Sequence, residues 1–253
     1  MKVIILAGGY GTRIAEFTNL IPKPMVKIGG KPILWHIMNY YSKFSLNEFC
    51  IALGYKAEVI KEYFLNYHVI NSDFTVDLGS GHIDINKNAN VNWKVSLKYT
   101  GIDTLTGGRL KRLKEYINNE TFMLTYGDGL CDVNISELLE FHKRHGKLAT
   151  VTAVRPVAKF GELNINNDKV INFEEKPDVL NGWINGGYFI FEPEFLNLIS
   201  NDETMLEGQP LSKAAEIGQL MAFKHYGFWQ CMDSKRDKDF LEKMWQNNQR
   251  PWI

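Results

Sequence analysis

The sequence predicts an α/β fold, a doubly wound mixed sheet with a β-hairpin excursion, and three observations carry that expectation. The apolar runs Val3-Ile4-Ile5 and Phe49-Cys50-Ile51-Ala52-Leu53 are continuous rather than alternating, as strands buried on both faces require. Segments with apolar residues at helical spacing follow such runs, so strand and helix alternate along the chain. The first strand also ends in a glycine-rich loop, at the kind of place where open α/β sheets bind ligands. At 253 residues the chain is read as a single domain, residues 1–253, long enough to bury a substantial core.

Composition narrows the function classes. With 45% hydrophobic and 13% aromatic residues the chain is globular rather than disordered. Lys+Arg and Asp+Glu are equal at 29 each, so no bulk charge favours nucleic acid or a membrane as partner, and any affinity for phosphate must be local. Cys50, Cys131 and Cys231 lie far apart without zinc-ligand spacing and are expected as free thiols in a reducing compartment. The first apolar run stops at Gly8, too short for a signal-peptide core or a membrane span. A soluble, cytoplasmic protein is expected.

The first strand leads into Leu6-Ala7-Gly8-Gly9-Tyr10-Gly11-Thr12-Arg13. Glycines here permit φ > 0 and remove Cβ, so backbone N–H groups can close around an anion. Arg13 adds a fixed cation whose donors fit phosphate oxygens. The residues therefore predict a loop that holds a nucleotide triphosphate. A dinucleotide loop is a poorer fit, because Gly9-Tyr10-Gly11 is followed by Thr12, Arg13 and Ile14 and no acidic residue stands about 20 positions on. A Walker A loop needs Gly-Lys-Ser/Thr where the chain has Gly-Thr-Arg. An ordinary glycine turn is the remaining alternative.

Pro22 and Pro24 hold the backbone extended on both sides of Lys23, which would present the cation rigidly. Lys31 to Phe44 reads as a helix with Ile33, Leu34, Ile37, Met38, Tyr41 and Phe44 on one stripe. Phe49 to Leu53 is the second strand and Ala57 to Leu65 the next helix. Residues 67–100 break the rhythm with short alternating segments, 74–77, 82–85 and 93–97, expected as the hairpin excursion. Gly107 and Gly108 are expected to open a helix whose N-terminal N–H groups face a ligand, with Lys111, Arg112 and Lys114 on a solvated face. Phe122 to Tyr126 is a buried strand ending in Gly127-Asp128-Gly129, where a carboxylate is well placed for a hard cation, although Asp is also common in turns. His142 and His145 are expected to be solvated or helix-capping, not metal-ligating. A strand from Ala149 to Val154 follows, then a strand pair around 160–165 and 170–173, and a closing helix from Lys235 to Trp245 with Phe240, Leu241 and Met244 inward.

The glycine loop followed by Pro22-Lys23-Pro24-Met25 resembles the N-terminus of the sugar-1-phosphate nucleotidyltransferases, which exchange the pyrophosphate of a nucleoside triphosphate for a sugar phosphate. Lys31 to Met38, the block from Thr104 to Arg112, and Gly227-Phe228-Trp229-Gln230 with Met232-Asp233 are similar to stretches of the glucose-1-phosphate cytidylyltransferases in particular. The resemblance covers nearly the whole chain. It implies a Rossmann-like nucleotidyltransferase fold, an excursion that reaches a neighbouring subunit, and hence a homo-oligomer. It implies CTP as nucleotide, α-D-glucose 1-phosphate as acceptor, CDP-glucose and diphosphate as products, and Mg2+ as cofactor.

The same resemblance distributes roles. Leu6 to Arg13, Lys23, Thr104, Arg109 and Gly127 would bind the nucleotide. Asp128 and Asp233 would hold magnesium, and Arg13, Lys23 and Asp128 would carry catalysis. In Glu174-Glu175-Lys176-Pro177, Lys176 would neutralise the acceptor phosphate and Glu175 would accept from sugar hydroxyls; Asn185 and Gly186 would let the acceptor approach the backbone. The chain departs from the pattern at Glu162, at Leu206 where tryptophan is expected, and at Ser234-Lys235. The first two would fall in the acceptor half, which leaves open another phosphorylated acceptor, such as a different sugar phosphate or phosphorylated glutamine for capsule modification. A catalytically silent nucleotide-binding subunit would tend to lose Arg13, Lys23 or an aspartate, and all are present.

Overall fold

Strand β1 (Val3–Ala7) lies inside a seven-stranded sheet because both of its faces are apolar. Successive residues point to opposite faces. Val3, Ile5 and Ala7 enter one hydrophobic core, and Ile4 and Leu6 enter the other. A doubly wound sheet follows directly. In the computed structural model, residues 1–86, 91–155, 162–166, 169–174 and 182–253 are described.

The sheet is completed by β2 (Glu48–Leu53), β3 (Lys94–Tyr99), β4 (Phe122–Tyr126), β5 (Ala149–Val154), β6 (Ile184–Phe191) and β7 (Leu220–Lys224), in the spatial order β7-β5-β6-β4-β1-β2-β3. β1 pairs in parallel with β2 and β4, and β2 with β3. β6 runs antiparallel to both β4 and β5, so the sheet is mixed, as expected from the sequence.

Helix α1 (Ile33–Ser42) packs Ile33, Leu34, Ile37 and Met38 on one face of the sheet. It is shorter at both ends than the apolar stripe suggested. Lys31–Pro32 instead pairs with Lys27–Ile28 around Gly29 and Gly30, both at positive φ, and Pro32 delivers the chain into the helix. Helix α2 (Ala57–Leu65) follows β2, as the pattern predicts.

The excursion is smaller than residues 67–100. Asp73–Val76 and Ile83–Asn86 form the hairpin, but Lys94–Tyr99 is the edge strand of the main sheet, with Glu48 opposite Lys94 and Leu53 opposite Tyr99. An edge strand half open to solvent alternates just as a hairpin strand does, which explains the misreading. The strand pair Glu162–Asn166 and Lys169–Glu174 forms antiparallel, as expected.

Helix α3 (Thr106–Arg112) covers the second face through Leu110. Its cations are not merely solvated: Lys111 donates to the Ile199 and Ser200 carbonyls, and Arg112 pairs with Asp202. Helix α4 (Ile135–His145) ends at Gly146. His142 on it is buried rather than solvated, held by Thr150 at 2.7 Å and Glu192 at 3.1 Å, while His145 accepts from the Lys147 N–H as a cap. The closing helix α5 (Lys235–Gln246) is capped by Ser234 and buries Asp237 and Leu241. Met244 packs on the core, but Phe240 is exposed, because the inward stripe runs 237–241–244.

Candidate active site

Asp128 and Asp233 are far apart in sequence, and a two-stranded ladder unites them. Gly129–Cys131 pairs antiparallel with Trp229–Cys231, with Gly129 opposite Cys231. Asp128 precedes one strand and Asp233 follows the other, so both carboxylates emerge at the same end. A further bond, Met232 N–H to the Asp128 carbonyl at 2.9 Å, closes the join. Asp237 fixes the far side, accepting from the Asp233 N–H at 3.1 Å, from Ser234 Oγ at 2.8 Å and from Gln230 Nε2 at 3.2 Å. Ser234 in turn caps the following helix, its Oγ accepting from the Asp237 N–H at 3.2 Å.

Two cations meet this pair. Lys23, in the turn Lys23–Met25, is 7% exposed and donates at 2.5 Å to Asp128 Oδ2 and at 2.5 Å to Asp233 Oδ1. Arg13 donates at 2.6 Å to Asp233 Oδ2 from a largely exposed position. Burial pushes the Asp233 carboxyl up, but Lys23 and Arg13 outweigh it and hold the pKa below its usual 3.8. Burial likewise works against the Lys23 charge, and the Asp128 carboxylate reverses this to raise the lysine above 10.5. One ligand atom each from Asp128, Cys231 and Asp233 lies within 4.8 Å of the others. Two carboxylates already gathered around an ammonium are a donor set that suits a hard divalent cation, and the residues fit magnesium.

The glycine loop curls beside this cluster. Gly11 takes φ +65°, and its carbonyl accepts from Ile14 N–H at 3.2 Å as the chain enters the turn Thr12–Ile14. Arg109 holds the loop from beneath. It is 4% exposed, with Nη2 donating to the Gly8 and Ile102 carbonyls at 3.0 Å and Nη1 to the Leu53 and Gly101 carbonyls at 3.1 and 2.6 Å. A Cβ at Gly8 would overlap the Arg109 guanidinium, so that glycine is required for close approach. Thr106, the first residue of α3, borders the cavity, but the N–H groups of Gly107 and Gly108 do not face a ligand as expected. Gly107 and Gly108 N–H both donate to the Thr204 carbonyl, at 3.0 and 3.2 Å, and a Cβ at either would strike the backbone of residues 202–204. The two glycines serve packing.

One cavity of 660 Å³ is lined by Leu6, Ala7, Gly8, Gly9, Tyr10, Gly11, Thr12 and Arg13, by Lys23, Thr104 and Arg109, by Gly127 and Asp128, and by Asn185, Gly186 and Asp233. Every expected site residue that is described thus borders the same space; Glu175 and Lys176 lie outside the described residues. Trp229 closes one wall by donating from Nε1 to the Gly186 carbonyl at 2.7 Å, and Asn185 donates to Tyr126 at 3.2 Å. Sequence reasoning missed Glu207, which lines the cavity and accepts from Thr106 at 2.7 Å and from Tyr126. It follows Leu206, which departs from the expected pattern. Leu206 itself is fully buried in the core cluster that holds Phe191, Phe195 and Leu196 and does not line the cavity.

Comparison with known proteins agrees with this geometry. Residues 2–230 match the family model described as Nucleotidyl transferase. The chain is 49% identical over 253 residues to the glucose-1-phosphate cytidylyltransferase of Salmonella typhimurium, covering 100% of this chain and 98% of that one. It is 32% identical to the mannose-1-phosphate guanylyltransferase catalytic subunit beta of Danio rerio, over 96% of this chain and 64% of that one. Among solved structures, HddC from Yersinia pseudotuberculosis complexed with GMP-PN superimposes with a TM-score of 0.71 at 25% identity, covering 96% of this chain and 99% of that one. A glycine loop, two cations and two carboxylates converge at the end of β1, and the match runs through the whole sheet: the chain belongs to the nucleotidyl transferase family.

Proposed function

We propose that the protein transfers the cytidylyl group of CTP to α-D-glucose 1-phosphate, giving CDP-glucose and diphosphate. The observation that carries this reading is the convergence of Lys23 and Arg13 with Asp128 and Asp233 in one cavity, in a chain 49% identical along its length to a glucose-1-phosphate cytidylyltransferase.

The acceptor's phosphate oxygen is anionic at neutral pH and attacks the α-phosphorus in line. No general base and no covalent enzyme intermediate are needed, so catalysis reduces to positioning and charge stabilisation. The backbone from Gly8 to Thr12 cradles the triphosphate, while Arg13 and Lys23 bind the departing diphosphate. Asn185 and Gly186 form the wall against which the acceptor sugar rests, held in shape by Trp229 and Tyr126. Glu175 and Lys176 are assigned to the acceptor by resemblance. Asp128 and Asp233 would hold Mg2+, which when bound supplies positive charge against the α-phosphate. Thr104 borders the nucleoside end, and Arg109 acts through the loop it clasps. The exposed hairpin residues Phe74, Val76 and Ile83 suit a contact in a homo-oligomer. No helix among the described residues is long and apolar enough to cross a membrane.

The test is release of diphosphate by purified protein with magnesium, across CTP, UTP, dTTP and GTP, with and without glucose 1-phosphate. Release with CTP that requires glucose 1-phosphate supports the proposal. CTP binding without release on any sugar phosphate would move the acceptor outside the sugars.

A further inference from the structure

We propose that Asp103 reads the cytosine ring, accepting a hydrogen bond from its exocyclic amino group, and thereby separates CTP from UTP. The inference rests on the reaction proposed above.

The strand order sets the direction in which the nucleotide lies. On one side of β1 stand β4 and β6, which bring Asp128, Asn185 and Gly186 to the cavity. On the other side stand β2 and β3, which lead into Gly54 and into residues 100–104. With the triphosphate in the glycine loop and the acceptor against Asn185 and Gly186, the nucleoside has only the β2–β3 side to occupy. That side of the cavity is bordered by Tyr10, Ile102, Asp103, Thr104 and Arg109.

The chemistry available there is restricted. The Arg109 guanidinium is committed to the carbonyls of residues 8, 53, 101 and 102 and to Thr100, so it is not a free donor for a base edge. Glu207 already receives a donor on each oxygen, from Tyr126 and Thr106. Asp103 differs. Its Oδ1 accepts from the Tyr10 hydroxyl at 2.7 Å, and among the described residues no donor meets its Oδ2. Tyr10 belongs to the glycine loop, and its ring lies 5.1 Å from that of Tyr55. The bond therefore ties the loop that would hold the phosphates to the carboxylate that would meet the base. One oxygen is fixed and the other is left for the ligand.

A carboxylate only accepts hydrogen bonds. Cytosine presents an amino group at C4 and uracil a carbonyl at the same place, so Asp103 pairs with the first and faces the second with like partial charge. Each arm of that contrast works in the same direction, and no second residue is needed to read the difference.

The experiment compares kcat, KM and directly titrated binding for CTP and UTP in wild type, Asp103→Asn, Asp103→Ala and Tyr10→Phe, with glucose 1-phosphate saturating. Both Asp103 variants should reduce the CTP-to-UTP ratio of kcat/KM by about tenfold or more, largely through KM, with unfolding temperature unchanged because the side chain is exposed. Asp103→Asn, whose amide can donate, should gain affinity for UTP, and Tyr10→Phe should lower the ratio part of the way. A CTP-selective wild type whose Asp103→Ala variant keeps the ratio within about threefold overturns the assignment of Asp103 alone. A wild type with no preference for CTP overturns the reaction and this inference together.

Discussion

The Lys23 ammonium lies 2.5 Å from Asp128 Oδ2, and the same nitrogen lies 2.5 Å from Asp233 Oδ1, so one lysine is shared by the two carboxylates proposed to hold magnesium. A cation that occupies the space between two metal ligands competes with the metal. A bound nucleotide would offer the lysine a second set of anions in its phosphates, which would free the two carboxylates for a divalent ion. Lys23→Met should therefore tighten Mn2+ binding to the nucleotide-free protein, measured by titration with electron paramagnetic resonance, while lowering turnover. It should also destabilise the metal-free protein by about 1–3 kcal/mol, because two partly buried like charges lose their partner, and magnesium should restore part of that loss. Unaltered Mn2+ affinity would separate Lys23 from the metal site.

Removing a carboxylate tests the pair from the other side. Asp128→Asn and Asp233→Asn keep shape and remove charge, and each should reduce kcat by at least ~10²-fold, the scale seen when a preorganised electrostatic partner is lost. Excess magnesium should recover some activity in the Asn variants if the amide oxygen still ligates. Unchanged turnover in Asp128→Asn would sink the metal assignment.

How far these features were legible in advance depends on the kind of signal they leave. Val3-Ile4-Ile5 and Phe122 to Tyr126 announced themselves as continuous apolar runs, since both of their faces are covered. Lys94–Tyr99 did not, because an edge strand carries the same alternation as a hairpin. Arg109, expected to bind the nucleotide, borders the cavity, yet its donors serve carbonyls, and a cation near paired glycines carries no mark of which anion or dipole it will meet. The meeting of Asp128 with Asp233 depends on the register of Gly129 against Cys231, which spacing does not encode. Glu207 and Asp237 belong to no spacing that points to a site, and only the fold gives them partners.

Asp237 offers a way to disturb Asp233, proposed as a metal ligand, without substituting it. Its carboxylate holds the Asp233 N–H and the Ser234 hydroxyl, while Ser234 Oγ accepts from the Asp237 N–H at 3.2 Å to cap α5. Asp237→Ala should cost about 1–2 kcal/mol through the weakened cap and lower kcat more than it raises KM for CTP, because the displaced group is a charge acting on the transition state. Asp237→Asn, which can still accept from one of these donors, should recover part of both. Equal loss of stability with full kcat would confine Asp237 to a structural role.

A histidine outside the cavity lining couples folding to pH. His36 on α1 is fully buried, with Nε2 donating to the Ile28 carbonyl at 2.8 Å and Nδ1 accepting from Trp252 Nε1 at 3.4 Å. That pair of bonds fits the neutral ring with its proton on Nε2. Burial lowers the pKa from 6.5 to about 4. Because the folded value is depressed, the unfolded chain takes up the proton first as pH falls. Stability is then whole above 6.5 and is lost between 6.5 and about 4, where the folded ring also protonates. The loss from this one site is on the order of 3 kcal/mol across that window. Denaturant unfolding measured from pH 7.5 to 4.5 should show it as a falling midpoint with constant slope in denaturant. His36→Gln keeps polar atoms within reach of Ile28 and Trp252 but does not titrate, so its stability should start lower and change less with pH. A variant that falls as steeply as wild type would assign the acid sensitivity to other groups.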